Sequence, residues 1–240
     1  MFSSRFLVDI FLYFIIFGDL FGVSYTMFRS STNDRSAQYD EALLPLLDTW
    51  LGEASGKNFC VLHLLGTHYE YAFRYPPLFN IFSEANETGE NKKEKRARAE
   101  YDNAVLYNDF IVDEIIRRFE DKNAILIYLS DHAENVYDDR NLSSGHGDIN
   151  ANRYMVEIPM IVWMSPACRT TYPDLEQRIA VSTNRPFMTD DIIHVLLDLM
   201  NIETKEYDPA KSVIHEKFDA GRVRVYGKNR NYENERGGRK

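Results

Sequence analysis

The chain of 240 residues is long enough for one large domain or two small ones, and its hydrophobic content of 44% excludes a disordered protein. The formal net charge of −9 argues against non-specific binding to nucleic acid, because neutralising its phosphates requires an excess of Lys and Arg. A phosphate group handled by this protein is therefore expected to be held by a metal ion.

An almost wholly apolar stretch runs from Phe6 to Phe17, but Asp9 interrupts it. A spanning helix needs about 20 apolar residues, and a central Asp costs roughly 2.5–3.5 kcal/mol on insertion. The stretch therefore does not favour a transmembrane helix, and without a clear small-residue cleavage site it does not favour a secretory signal either. Residues 1–27 are treated as an apolar N-terminal segment of uncertain role.

The following elements are predicted from apolar residues at helical spacing and from short apolar runs bounded by turn residues. In chain order they are a helix from about Asp40 to Gly52, a strand from Phe59 to Leu65, a helix from about Arg96 to Glu120, strands from Ala124 to Leu129 and from Ile158 to Met164, and a helix from Asp190 to Met200. Residues 83–95 are interpreted as a solvated insertion or a helix start. This alternation indicates an α/β fold with a parallel sheet, which binds ligands at the carboxyl ends of its strands.

Candidate metal ligands lie at that edge of the predicted sheet. Asp131 and His132 directly follow the second strand, His68 follows the first, and His146 lies in a Gly-His-Gly loop. Imidazole and carboxylate groups together suit Zn²⁺, whose catalytic sites keep one position open for substrate. The pattern predicts a zinc site.

The alternative is that these residues are structural, because an Asp-His pair after a strand more often caps a helix or satisfies backbone groups. His63 and His194 fit that description and are predicted to be core residues with hydrogen-bonded rings, whereas His215 is predicted to lie on the surface. The other three histidines differ because all of them fall in loops at the predicted ligand-binding edge. Two of them lie near glycines, which allow close backbone approach.

The two cysteines do not define a redox compartment. Cys60 lies in an apolar run and is interpreted as a small buried hydrophobe, and Cys168 lies in a predicted loop. A disulfide would need their Cα atoms within about 7 Å, which leaves their pairing open.

The segment Leu129-Ser130-Asp131-His132-Ala133-Glu134 resembles the S-D-H-G-E segment of sulfatase-type proteins, and more narrowly that of bacterial phosphoethanolamine transferases. Further segments are similar to that family in order and spacing: residues 39–45, 63–68, 101–109, 144–147 and 188–199. The resemblance covers about Phe28 to Tyr226. Residues 28–226 are therefore interpreted as a partial sulfatase-type catalytic domain and residues 227–240 as a polar tail.

The resemblance implies an alkaline-phosphatase-like α/β sheet flanked by helices. It implies that Asp131 and His132 are ligands of a catalytic Zn²⁺, and that His68 and His146 hold the phosphate group or a second zinc. The implied reaction transfers phosphoethanolamine from phosphatidylethanolamine to a lipid A, core or glycan acceptor, in a catalytic domain that faces the periplasm from the inner membrane.

Two departures from the family pattern qualify these expectations. Ala133 stands where the family has Gly, and the family's early segment, with an acidic ligand and a Thr nucleophile, is not found; Thr26 and Thr32 lie in the wrong place. The fold is therefore expected to be incomplete at its N-terminus, with no catalytic nucleophile, weak zinc binding and little transferase activity.

Two other functions stay open. One is a sulfuric- or phosphoric-ester hydrolase of the same fold, although the Cys/Ser-x-Pro-x-Arg motif of sulfatases is not found. The other is a non-catalytic remnant, for which the loss of a strand would leave a sheet edge exposed to aggregation.

Overall fold

The computed structural model describes residues 12–13, 24–29, 39–139, 142, 144–147 and 149–236. Its strands are β1 (Leu12–Tyr13), β2 (Ser24–Arg29), β3 (Asn58–Leu64), β4 (Ile125–Leu129), β5 (Met160–Met164), β6 (Val225–Tyr226) and β7 (Arg230–Asn231). Its α-helices are α1 (Leu44–Glu53), α2 (Lys92–Arg117), α3 (Arg153–Val156), α4 (Pro166–Thr171), α5 (Pro173–Ser182), α6 (Ile192–Leu199) and α7 (Tyr232–Arg236). Short 3-10 helices lie at Asp40–Leu43, Tyr71–Phe73, Pro77–Phe79 and Thr189–Asp191.

The long helix α2 begins at Lys92, earlier than the predicted Arg96, because of its N-terminal cap. The side-chain oxygen of Asn91 accepts a hydrogen bond from the backbone N–H of Glu94 at 3.1 Å, and the Asn91 amide donates to the Glu94 carboxylate at 2.7 Å. The first of these bonds satisfies a backbone N–H of the first turn, which otherwise lacks a partner, and the second holds the capping side chain in place. The polar residues of this region therefore divide between an exposed loop and the first turn of α2.

Among the described strands, only β2 and β3 pair in parallel, and β2 is not one of the predicted strands. β2 runs parallel to β3, with Phe28 opposite Leu62, but β5 runs antiparallel to β4, with Ile127 opposite Val162. A parallel connection normally needs a crossover helix, and the described part of the chain between β4 and β5 contains only the four-residue helix α3. The prediction of a parallel pair is wrong for β4 and β5 for this reason.

Side chains of β4 alternate between two helical layers, as expected for a strand that is covered on both faces. Leu126 packs into a cluster with residues of α1 and α2, including the fully buried Leu47 and Tyr107. Ile127 faces the opposite layer and packs with Leu196 of α6. The β4–β5 sheet thus has helices on both faces of β4, which agrees with the helix-flanked α/β architecture that the resemblance implies.

The two thiols belong to different clusters of this core. Cys60 packs on the α1 and α2 side and Cys168 on the α5 side, and both are free and buried. Burial raises the pKa of Cys60 to about 12 and that of Cys168 to about 11, so both stay protonated at neutral pH.

The C-terminal residues form structure beyond the expected domain boundary. β6 and β7 pair as an antiparallel hairpin, so a division between residues 226 and 227 falls inside the hairpin. Arg230 donates to the carbonyl of Ala151, and the Tyr232 hydroxyl donates to Glu157 at 2.6 Å. The hairpin and α7 therefore pack on the segment around α3, while residues 237–240 lie outside the described part.

The apolar stretch from Phe6 to Phe17 lies outside the described residues except for β1. Within the described ranges, no helix combines the length and the apolar character that crossing a bilayer requires.

Candidate metal centre

The loop after β4 is held by its own hydrogen bonds. The Ser130 hydroxyl donates to the carbonyl of His132 at 2.6 Å, and the backbone N–H of His132 donates to Oδ1 of Asp131 at 2.9 Å. The N–H of Ala133 donates to the carbonyl of Met155 at 3.0 Å, which ties the loop to α3. The loop is therefore anchored even though Ala, and not the Gly of the family pattern, follows His132.

A two-residue β-bridge returns the chain to this loop. Asn135 and Gly145 exchange backbone hydrogen bonds of 3.1 and 2.9 Å. Gly145 has φ = +123°, a conformation that residues with a Cβ rarely adopt, so glycine is needed there. The bridge places His146 beside His132, and the centroids of their rings are 3.7 Å apart.

Three candidate ligands converge at this point. His132, Glu134 and His146 each offer one ligand atom, and these atoms lie within 4.8 Å of one another. Nδ1 of His146 lies 2.7 Å from Oε1 of Glu134, so an ionised Glu134 accepts a hydrogen bond from the imidazole. The Glu134 side chain is almost fully buried, at 2% exposure.

His132 carries an unpartnered polar atom into this cluster. Its Nδ1 lies 3.0 Å from the carbonyl of Ala133, whereas its Nε2 is buried without a hydrogen-bond partner among the described residues. Oδ1 of Asp131 lies 3.9 Å from Nε2, beyond hydrogen-bonding distance. Buried polar nitrogens are rarely left unsatisfied, and metal coordination would satisfy this one.

The donor set fits zinc. Two imidazoles and one carboxylate form a known catalytic zinc ligand set that leaves an open coordination position. The buried, unpartnered Nε2 of His132 supports this fit separately, because it is an observation of geometry and not of residue type.

A buried tyrosine holds the carboxylate of the cluster. The Tyr71 hydroxyl donates to Oε2 of Glu134 at 2.8 Å and lies 3.3 Å from the Ser144 hydroxyl. Burial, followed by the negative charge of Glu134, raises the pKa of Tyr71 far above its usual value, so the phenol stays a hydrogen-bond donor. Tyr71 thus links the loop after β3 to the candidate metal-ligand cluster.

His68 lies half-buried in that loop after β3, and its Nδ1 lies 3.3 Å from the carbonyl of Tyr69. The loop is fixed by the buried Asp40, whose carboxylate oxygens accept from the N–H groups of Leu65 and Gly66 at 2.8 Å each. It is also fixed by the buried Arg74, which donates to the carbonyl of His68 at 3.2 Å.

The predicted site residues are thus only partly gathered. His132 and His146 lie in the convergent group, Asp131 lies beside it, and His68 lies on the neighbouring loop that Tyr71 connects to it. Neither Glu134 nor Tyr71 is among the site residues predicted from the sequence. Glu134 had a signal, since it ends the S-D-H-A-E segment, but Tyr71 had none.

The remaining histidines are structural. His63 and His194 are buried, and Nδ1 of His194 accepts from the N–H of Asp208 at 3.2 Å. His215 is half-buried, not fully exposed, and its Nδ1 accepts from the N–H of Lys217 at 3.0 Å.

The fold and the donor cluster define an α/β protein with a candidate metal site at the carboxyl end of β4. The sulfatase family model matches residues 13–202, so the chain belongs to the sulfatase family. Within that family it is similar to phosphoethanolamine transferase EptC of Escherichia coli O18:K1:H7, at 35% identity over 75% of this chain and 32% of that protein. The chain spans about a third of the length of this relative.

Solved structures agree with this relationship. The C-terminal periplasmic domain of EptC from Escherichia coli superposes with a TM-score of 0.77 and 28% identity, over 88% of this chain and 68% of that one. The same domain in complex with Zn gives a TM-score of 0.73 and 31% identity, over 84% of this chain and 58% of that one. The alkaline-phosphatase-like fold expected from the sequence is thereby confirmed.

Proposed function

We propose that this chain contributes the zinc-binding part of a phosphoethanolamine transferase. The donor would be phosphatidylethanolamine, the acceptor a lipid A, core or glycan, and the setting the periplasmic face of the inner membrane. The observation that carries the proposal is the cluster of His132, Glu134 and His146 around a buried, unpartnered imidazole nitrogen. The similar proteins supply the reaction class and the precedent of zinc.

Each site residue has a proposed role. His132, Glu134 and His146 would hold the ion, and Asp131 would join them after a side-chain rotation, because its Oδ1 already lies 3.9 Å from Nε2 of His132. His68 would contact the phosphate group from the adjacent loop. A zinc ion held there supplies Lewis-acid polarisation of a phosphoryl oxygen. We assign no nucleophile to this chain.

The number of donors changes the expected affinity. The resemblance implies two zinc ligands, and a site with two ligands is expected to bind zinc weakly. Three convergent donors would instead complete the protein part of a catalytic zinc site. Tyr71 adds an orienting hydrogen bond to Glu134, and such partners raise metal affinity by about 10–100-fold.

Zinc titration of the purified full chain by calorimetry tests the site. We expect one zinc per chain and a loss of affinity of about tenfold or more, ~1.4 kcal/mol, in His132→Ala and Glu134→Gln. His215→Gln is the matched control, since His215 is half-buried and lies outside the cluster. Equal zinc affinity in all these variants would refute the assignment.

The relative affinities for O-phosphoethanolamine and inorganic sulfate distinguish a transferase from a sulfuric-ester hydrolase. We expect O-phosphoethanolamine to bind the zinc-loaded chain more tightly than the zinc-free chain, and more tightly than inorganic sulfate binds. Sulfate binding of equal or greater strength would favour the hydrolase instead.

A further inference from the structure

The loop between the 3-10 helix Pro77–Phe79 and α2 carries an acceptor motif for N-linked glycosylation. Asn86 and Thr88 are separated by one residue other than Pro, which is the N-x-S/T pattern. Glu84 stands two residues before Asn86, at the position where bacterial oligosaccharyltransferases favour an acidic residue. Because so short a motif also occurs by chance, its structural context decides whether it is usable.

The same form occurs a second time in the sequence. Residues 139–143 read Asp-Arg-Asn-Leu-Ser, again with an acidic residue two positions before the asparagine. Asn141 lies outside the described residues, so the structural argument concerns Asn86 alone.

The groups that such an enzyme must reach are available in the first motif. Glu84, Asn86 and Thr88 are all exposed. Oδ1 of Asn86 accepts from the backbone N–H of Ser83 at 3.0 Å and from its hydroxyl at 2.9 Å. Both bonds use the amide oxygen, and Nδ2 donates to none of the described residues. The nitrogen to which a glycan is attached is therefore exposed and not engaged.

The backbone of this loop is held at its two ends and little between them. Before the motif, two backbone N–H groups donate to the buried Asn103 side chain at 2.8 Å each, and after it the chain enters α2 through the Asn91 cap. Among the described residues, the backbone of residues 84–89 forms one hydrogen bond, from Asn86 to the carbonyl of Ser83 at 2.9 Å. This stretch is therefore able to change conformation on a modifying enzyme without breaking backbone hydrogen bonds elsewhere in the fold.

The motif contributes nothing to the candidate metal centre. None of its residues belongs to the metal-ligand cluster or lines the cleft of about 830 Å³ that Asp131 and His132 border. Glu87, between Asn86 and Thr88, instead places its carboxyl group against Asp102 of α2. A modification of this loop is therefore separate from zinc binding.

We propose that Asn86 is an acceptor for N-linked glycosylation by a bacterial oligosaccharyltransferase. Nδ2 of Asn86 attacks the anomeric carbon of an oligosaccharide that is carried on a polyprenyl diphosphate. The new C–N bond replaces the bond from that carbon to a phosphate oxygen, the polyprenyl diphosphate leaves with the bonding electron pair, and the amide proton passes to a base. No group is oxidised or reduced. The proposal takes from the proposed function only its periplasmic setting.

Glycosylation of the folded full chain in vitro tests the proposal. The purified chain is incubated with a bacterial oligosaccharyltransferase and an oligosaccharide linked to polyprenyl diphosphate, and mass spectrometry of the intact chain and of its peptides locates the product. All variants carry Asn141→Gln, so that the intact mass reports on Asn86. We expect one oligosaccharide per chain, on the peptide that contains Asn86, and none in Asn86→Gln.

Two further positions separate recognition of the motif from mere exposure of an amide. Thr88→Ala should lower the rate of glycosylation by about tenfold or more, because a site that hydrogen-bonds a hydroxyl discriminates against the analogue without it, and Thr88→Ser should restore most of the rate. Glu84→Gln should also lower the rate. Glu90→Gln is the matched control, since Glu90 is an exposed acid of the same loop outside the motif.

Thermal melting shows that each variant is folded, and a synthetic peptide of residues 82–90 shows whether the enzyme accepts the sequence by itself. Glycosylation of the peptide or of the heat-unfolded chain, but not of the folded chain, would show that the loop does not present Asn86 and would overturn the proposal. An equal rate in Thr88→Ala would overturn it too, as would no reaction with an enzyme that modifies a reference peptide. Such a failure leaves the zinc assignment standing, because zinc titration measures that site separately.

Discussion

Replacing the buried Asp40 by Ala should destabilise the chain through the loop that carries His68. The Asp40 carboxylate accepts from the N–H groups of Leu65 and Gly66, at 2.8 Å each, and Asp40 is only 4% exposed. Each buried donor left without an acceptor costs about 1–3 kcal/mol. Since Leu65 is half-buried and water can partly replace its acceptor, we expect a total loss of about 3 kcal/mol.

Urea denaturation and thermal melting measure this loss. For a chain of this size, about 3 kcal/mol corresponds to a lower Tm by roughly 6–12 °C. Asp40→Asn keeps one acceptor oxygen and should lose about half as much free energy of unfolding.

The matched control is Asp48→Ala. The Asp48 carboxylate is 53% exposed and pairs with Arg118 at 2.7 Å, and such surface pairs contribute about 0–1 kcal/mol. If Asp40→Ala destabilises the chain no more than Asp48→Ala does, the anchoring role of Asp40 is refuted.

Three further substitutions probe the site and the core. Tyr71→Phe removes the donor to Glu134 and should weaken zinc binding by about 10–100-fold in a calorimetric titration, whereas Tyr69→Phe should not; equal affinities would argue against the orienting role. Asn103→Ala should lower the free energy of unfolding by about 3 kcal/mol in urea, because the buried Asn103 amide oxygen accepts from two backbone N–H groups at 2.8 Å; a loss below about 1 kcal/mol would contradict this. Burial raises the pKa of Cys60 from 9.0 to about 12, so the thiol ionises at a lower pH in the unfolded chain than in the folded chain. The resulting stabilisation of the folded chain is complete below pH 9 and declines as pH rises towards 12. Between pH 8 and 10 the urea midpoint should therefore fall more in the native sequence than in Cys60→Ala, and parallel curves would exclude the effect.

Local patterns in the sequence predict most of the helices and strands. The spacing of apolar residues in α2 and the short apolar run of β4 are local properties; β4 forms where it is expected, and α2 begins one turn earlier. The direction of β5 was not predictable in the same way, because it depends on the absence of a long crossover helix between β4 and β5.

The candidate site shows the same division between local and long-range information. Asp131 and His132 follow β4 in the chain, so their place at the sheet edge could be predicted. The pairing of Tyr71 with Glu134 joins residues 63 positions apart, and no local pattern encodes it. Contact between His132 and His146 depends on the bridge from Asn135 to Gly145, which forms only in the folded chain.

X-ray absorption at the zinc edge on the full chain, loaded with one equivalent of zinc, tests the central claim most directly. We predict imidazole nitrogens at about 2.0–2.1 Å and a carboxylate oxygen at about 2.0–2.2 Å. In His132→Ala the imidazole contribution should fall, because the cluster then keeps only His146 and Glu134. A ligand shell without imidazole, or one that His132→Ala leaves unchanged, would contradict the proposed zinc site.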